Sequence, residues 1–488
     1  MRFPSHPTRT QPSHNPQGAD TLVDKMHSTA LPDAALPDTA LPSTAVSDNS
    51  RRDFLLRASA LVAAAGSADT VCAQASDYKA LVCVFMIGGN DGHNTVVPLG
   101  NAAYAAYKAA RGGLALPDNN TQLLPVSTPA GVAYGLNSGL VNLAPLWAQG
   151  KLAVLANVGM LAQPTSRAQV LAGSAKLPTN LYSHSDQIVQ MQAGDANGSG
   201  GTGWAGRSAD AVASRNGASR FPASVSMAGS ALFCAGNQVV SASLVPGFDL
   251  SADGLAAWPA SAAATKSTAL AEILTMDNGL SMVQAANHVW QDATSLGGLL
   301  KGNTGGSLAT VFPSTSLGAQ LQQVAQIIKL RATTGMARQV FFCSIGGFDT
   351  HSAQSWQQWD LLHQVGDAMA AFYAATQELG VANQVTAFTE SEFGRSLQPS
   401  GTGSDHGWGS HHLVLGGAVK GGNLYGSFPS HVLGGPDDAS NRGLLIPSTS
   451  LDQYGATLAR WFGVDATGMA QVFPKLGLFG SADLGFMG

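Results

Sequence analysis

The sequence predicts an α/β fold built on a doubly wound, mostly parallel sheet. Three observations predict it. Continuous apolar runs with β-branched members alternate with longer segments of helical period. Several of those runs end abruptly in Gly and Asp, as strands do at the carboxyl edge of an open α/β sheet. The chain has 488 residues, 45% of them hydrophobic, ample for a large core.

The first run, KALVCVFMI at 79–87, reads as a buried parallel strand and ends in Gly88-Gly89-Asn90-Asp91-Gly92. A helix near 138–149 leads to a second strand at 152–158. A third, 339–345, ends in Gly346-Gly347-Phe348-Asp349-Thr350-His351. A fourth, 384–389, ends in Glu390-Ser391-Glu392-Phe393-Gly394-Arg395. Helical patterns fill about 265–300, 317–334, 355–379 and 451–462. A Gly/Ala/Ser-rich region, densest at 195–260 with short strand candidates at 223–227 and 238–243, reads as an insertion spanning about 195–335.

The N-terminal 50 residues are rich in Pro, Ser, Thr and Asp. The stretch TALPDAALPDTALPS at 29–43 buries too little to offset its ordering entropy, so 1–50 reads as a disordered extension. Next comes Ser50-Arg51-Arg52-Asp53-Phe54-Leu55-Leu56, which resembles a twin-arginine export motif. The apolar run at 58–66 is too short to span a membrane. Ala73-Gln74-Ala75 is a small-x-small cleavage site. Residues 51–75 therefore read as a twin-arginine signal peptide. Cleavage after Ala75 would leave 76–488 as the folded domain, periplasmic or extracellular, with no integral span and with the twin-arginine translocase as its export partner.

A net charge of −5 and the lack of a Lys/Arg cluster argue against nucleic acid. Cys72 would leave with the signal. Cys83, Cys234 and Cys343 sit in apolar surroundings without zinc spacing and read as buried thiols.

The chemistry concentrates at strand ends: Asp91 with His93, Asp349 with His351, and Glu392 followed by Asp405-His406 and His411-His412. A parallel sheet brings such ends to one edge. Carboxylates and imidazoles packed there repel or strand protons unless a cation organises them. Asp, Glu and His ligate Zn²⁺, Mn²⁺ and related divalent ions, and one or two ions suit displacement at phosphorus or sulfur. Each motif also has a plainer reading. Asp91 fits a turn, and Asp349-Thr350 fits a helix cap. Of His411 and His412, only one can face a given side of a strand.

The segments GGNDGHNTVVP (88–98), TGWAGR (202–207), GGFDTH (346–351) and SEFGRSLQPSGTGSDHGWGSHHLVLGG (391–417) resemble the domain of unknown function 1501 family, over nearly all of 79–465. The resemblance implies an alkaline phosphatase/sulfatase-like fold and twin-arginine export. It also implies Asp91, Asp349, His351, Asp405, His406 and His411 or His412 as metal ligands. The segment LYSHSDQ (181–187) is similar to the family's Ser-His segment. It suggests Ser183 as nucleophile beside His184, with Ser185 behind it. Two departures stand out: Asp349 and His351 are closely spaced, and Glu392 stands where many superfamily members have an Asp-His pair, so that either Glu392 is the metal ligand there or Asp405-His406 reaches in from the loop. Arg395 suits the anionic oxygens of a substrate, or a salt bridge to Glu392 or Glu390.

These readings make the protein an exported metal-dependent hydrolase of phosphate or sulfate esters, on small molecules or a polymer. The alternative is a non-catalytic envelope scaffold descended from such hydrolases. A metal-free serine esterase lacks its G-x-S-x-G elbow. A dinucleotide enzyme lacks G-x-G-x-x-G.

Overall fold

The computed structural model describes residues 77–247, 258–276, 279–302 and 308–488. The N-terminal extension, the twin-arginine segment and Cys72 lie outside the described residues. The strands are β1 Lys79–Met86, β2 Val96–Pro98, β3 Leu123–Ser127, β4 Ala133–Asn137, β5 Leu152–Gly159, β6 Ser224–Ser226, β7 Ser241–Ser243, β8 Arg338–Ile345, β9 Val385–Glu390, β10 Ser410–Gly416, β11 Asn423–Tyr425 and β12 Thr449–Ser450. The longer helices are α1 Asn101–Arg111, α2 His184–Ala193, α3 Trp204–Ala211, α4 Ala260–Thr275, α5 Ser281–Gly302, α6 Ser316–Lys329, α7 Gln354–Glu378 and α8 Leu451–Phe462.

One sheet of nine strands organises the molecule, in the order β11-β5-β10-β9-β1-β8-β6-β7, with β12 also paired to β5. Among the described residues its pairings are parallel except at β10, which runs antiparallel to both β5 and β9. The cause is the connection: 391–409 returns from β9 without a helix, and a parallel partner would need a crossover. A small antiparallel sheet, β2-β4-β3, adds Val96 and Leu136 to the main core.

Both faces of the sheet are covered, as the unbroken apolar strands require. Along β1, Val82, Val84 and Met86 enter one core, while Leu81, Cys83 and Phe85 enter the other. The first core is closed by Leu317, Leu321, Val324 and Ile328 of α6 and by Leu362, Val365, Met369 and Phe372 of α7, each a helical stripe. The second is closed by Trp204 of α3 and by Leu451, Tyr454, Leu458 and Phe462 of α8. A reciprocal capping box between Ser450 and Gln453 starts α8, and Gly463, at φ 114°, ends it. Cys83, Cys234 and Cys343 are buried free thiols. Burial raises their pKa values, that of Cys234 to about 12, so they pack as small apolar groups.

Three expectations change. The region read as an insertion is woven into the main sheet: β6 pairs with β8, and β7 with β6. The single helix expected over 265–300 is two, α4 and α5, with Gly279 at φ 73° between them. The helix expected over 138–149 shrinks to the 3₁₀ turn Ser138–Leu140 and the short helix Ala144–Ala148, which Pro145 starts. No helix among the described residues is long and apolar enough to cross a membrane.

Candidate metal centre

β8, β1 and β9 are consecutive in the sheet and parallel, so their carboxyl ends open onto one edge. After β1 the chain turns through Gly88 (φ 118°) and Gly89 (φ 84°), a conformation that side chains resist. A methyl on Gly88 would lie 2.3 Å from the Asp349 backbone nitrogen, so glycine is what lets the two strand exits touch. The Gly88 N–H donates to Glu392 Oε1 at 2.7 Å, tying the β9 exit to the same turn. Ser391 reinforces the tie by donating to the Met86 carbonyl at 2.7 Å and accepting from Asn90 N–H at 2.9 Å.

Two further segments deliver imidazoles. The loop after β9 doubles back so that Arg395 and His406 form an antiparallel bridge. Ser183 is the N-cap of α2, which puts His184 in its first turn. Just before it, Tyr182 is held at φ 75°, an uncommon state for an aromatic residue, where Gln187 accepts its N–H at 2.6 Å. That twist aims the Tyr182 carbonyl at His406 Nδ1, 2.8 Å away.

Protonation follows from these partners. A carbonyl only accepts, so His406 Nδ1 carries the proton and Nε2 a lone pair. His184 Nδ1 likewise donates to the buried Glu392 carboxylate at 2.8 Å. The two Nε2 atoms nevertheless face each other at 3.1 Å. Two lone pairs at that distance repel unless a proton or a metal cation lies between them. Asp349 Oδ1 completes a triangle, 3.4 Å from His184 Nε2 and 3.3 Å from His406 Nε2. Ligand atoms held about 2.0–2.1 Å from one tetrahedral ion stand roughly 3.3 Å apart, so the three edges match a face of such a site. His184, Asp349 and His406 form a group able to hold a metal ion. His351 Nε2 adjoins it, 2.9 Å from Asp349 Oδ1 and 3.1 Å from His406 Nε2.

The electrostatics suit a cation. The hydrogen bond from His184 to Glu392 holds the His184 pKa up against burial. Burial lowers that of His406, keeping it neutral. Burial works to raise the Asp349 pKa, but the hydrogen bond and charge of Arg395, followed by the nearby histidines, outweigh it, and Asp349 stays ionised. Behind the triangle stand orienting partners: Glu392 on His184, the Tyr182 carbonyl on His406, and Asp405, 3.4 Å from His351 Nδ1. Such outer partners fix tautomer and ring direction at metal sites.

Residues 78–441 match the family model described as "Protein of unknown function (DUF1501)". The chain belongs to that family. No curated protein matches it. Among solved structures it is similar to the crystal structure of the PsFucS1 sulfatase from Pseudoalteromonas sp. The two share 11% identity over 81% of this chain and 70% of that one, with a TM-score of 0.31.

In this DUF1501 chain the residues singled out in the sequence fall into three groups. His184, Asp349 and His406 come together, with His351 beside them and Glu392 and Asp405 behind. Asp91 and His411 do not join them. Asp91 is fully buried, caps the helical turn Gly92–Thr95, and is held by Arg111 and by the Gln354 amide. Asp91 is thus paired inside the protein with Arg111 and Gln354, and the structure does not bring it to the triangle. His411 turns its Nδ1 to the Asn157 N–H at 2.9 Å and stacks on Phe428. His412, on the opposite face of β10, stacks on Tyr454. Ser183 donates to Asp186 Oδ2 at 2.5 Å, and Ser185 is exposed. Arg395 is fully buried, donating to Asp349 Oδ1 at 2.8 Å and to the Ser404 carbonyl at 2.6 Å. It pairs with Asp349 and with neither glutamate, so it positions a carboxylate instead of facing solvent. Sequence reasoning missed Tyr182, Gln187 and Arg111, and it placed His184 with the nucleophile. A His directly after a Ser at a helix start was the only signal available.

Proposed function

We propose that this protein is an exported metal-dependent hydrolase of phosphate or sulfate esters, acting outside the cytoplasm on a small-molecule or polymer substrate. The carrying observation is the facing of His184 and His406 Nε2 at 3.1 Å with both Nδ1 protons already committed. The motif resemblance to the alkaline phosphatase/sulfatase superfamily supports the ester chemistry. His184, Asp349 and His406 would hold the ion, with His351 next to the remaining position. A donor set rich in imidazole favours zinc over manganese, calcium or magnesium. When bound, the metal supplies a Lewis acid for an ester oxygen.

The chain's own groups do the rest. Arg395 keeps Asp349 ionised and aimed. Glu392 fixes the His184 tautomer. Ser183 is the proposed nucleophile: its hydroxyl already donates to Asp186, which can accept the proton as Oγ attacks phosphorus or sulfur. The bond from phosphorus or sulfur to the ester oxygen breaks, and that oxygen leaves as the alcohol with the proton Asp186 accepted. Water then hydrolyses the seryl ester to restore the Ser183 hydroxyl and release phosphate or sulfate.

One observation favours a second reading, the non-catalytic scaffold. Asp91, the carboxylate after β1, is committed to Arg111 and the Gln354 amide and does not join the triangle. Elemental mass spectrometry of the purified mature chain, beside hydrolysis of nitrophenyl phosphate and sulfate, separates the two. The hydrolase should carry about one equivalent of metal. His406→Ala should lose that metal, and Ser183→Ala should lose turnover with the metal retained. Normal turnover in Ser183→Ala removes the nucleophile assignment. Metal without turnover on a broad ester panel moves the protein to the scaffold reading.

A further inference from the structure

α7 begins three residues after His351, and its first two turns carry Trp356 and Trp359. The two indoles stack, with ring centroids 5.7 Å apart and planes 22° apart. Trp359 stacks in turn on His363 at 5.2 Å and 13°, and its Nε1–H donates to Ser138 Oγ at 3.0 Å. The inner ring is thus fixed from both sides, while Trp356 remains 66% exposed. Together they help line an open groove of about 640 Å³, lined also by Ser355, the Gly113–Pro117 loop and Gln122. That volume falls within the range of small-molecule sites.

The lining has a particular chemistry. It contains no charged residue. It combines the one indole face left free, that of Trp356, with the side chains of Gln122 and Ser355, neither of which is held in a side-chain hydrogen bond among the described residues. A pyranose ring needs this combination: its C–H face meets the negative face of an indole, and its hydroxyls need neutral donors and acceptors at the rim. A nucleotide or an acidic peptide would instead call for Lys or Arg. The groove is also near the metal centre. Ser355 lies four residues from His351, which bounds their Cα separation at about 14 Å, within the length of a short saccharide.

We propose that this groove is a saccharide subsite, and that the ester presented to the metal centre is carried on a carbohydrate. The second clause rests on the hydrolase reading; the first stands without it. The sugar stacks on Trp356 while the anionic ester group lies toward His351 and Asp349.

The test titrates the tryptophan emission of the mature protein with neutral hexasaccharides: cellohexaose, maltohexaose, xylohexaose, mannohexaose and chitohexaose. At least one should give a saturable change at millimolar concentration. Trp356→Ala should bind it roughly five- to tenfold more weakly, the size expected for one lost stacking partner. Trp356 is mostly exposed, so this variant should fold, and unchanged metal content verifies it. No saturable response to any of the five, or equal affinity in the variant, overturns the subsite even if simple aryl esters are hydrolysed. A saccharide response without hydrolysis of any ester supports the subsite and removes the carbohydrate-ester clause together with the hydrolase reading.

Discussion

Glu390 and Glu392 stand two residues apart at the exit of β9 and have opposite fates. Glu390 is fully buried, and burial pushes its pKa far up against the opposing pull of the Trp204 indole, so it stays neutral. Glu392 is equally buried but accepts from Gly88 and from His184. The difference lies in the partners, and it makes Glu392 the group that selects the His184 tautomer. Glu392→Gln keeps the shape and, because the Gly88 N–H and His184 Nδ1 share Oε1, keeps an acceptor there, but it removes the negative charge that supports the Nδ1 proton and the basicity of Nε2. The expected result is metal affinity weakened about 10- to 100-fold, measured by competition with a chelator, with thermal stability of the metal-free protein little changed. Unchanged affinity would mean that His184 does not ligate through Nε2.

At the scale of elements, α8 shows how a helix start can carry a pH dependence. Its first turn includes Asp452, a favourable place for a negative charge beside exposed N–H groups. Yet Asp452 is buried against α8's neighbours and its Oδ1 finds no partner, so burial lifts its pKa to about 7 from 3.8. The folded state therefore holds a proton that the unfolded chain has already released. The stability this contributes is full below pH 3.8 and is lost as pH rises through about 7. Asp452→Asn removes the titration. Its melting temperature should therefore gain on the native protein's as the buffer moves from acid to mildly alkaline. A constant difference across that window would place the carboxylate in contact with water. The helical pattern over 451–462 was legible beforehand. The burial of Asp452 was not, because it depends on what α8 packs against.

For the whole molecule, stability rests on the two cores that sandwich one sheet. Phe388 of β9 lies fully buried beneath Trp204, Phe233 and Tyr454. Phe388→Ala should cost about 3–5 kcal/mol in denaturant unfolding, since the three surrounding rings cannot collapse into the space it leaves. A loss under about 1 kcal/mol would show that this face repacks freely. The proposed export route belongs at this scale too, because the twin-arginine route carries proteins already folded. Replacing Arg51 and Arg52 by Lys should leave the chain unprocessed inside the cell, read by fractionation and by the mass of its N-terminus. Normal export of that variant would remove the signal reading of 51–75.

By itself the sequence determined the strands that form the sheet's centre. An uninterrupted apolar run has only one place to go, between two covered faces, and β1, β5, β8 and β9 lie within a residue or so of where their runs predicted. The same logic put Asp349, His351 and Glu392 at one edge, since they directly follow parallel strands. What the tertiary structure alone decided is which groups meet there. Asp91 follows a strand as closely as Asp349 does, but Arg111, twenty positions on in α1, captures its charge. His406 reaches the centre through a loop whose path no local pattern encodes, and His184 reaches it on a helix outside the sheet. Strand periodicity fixes a residue's height and face within a sheet. The pairing of charges and imidazoles across distant loops follows from three-dimensional packing, where burial and nearest partners set which groups stay ionised and which atoms face one another.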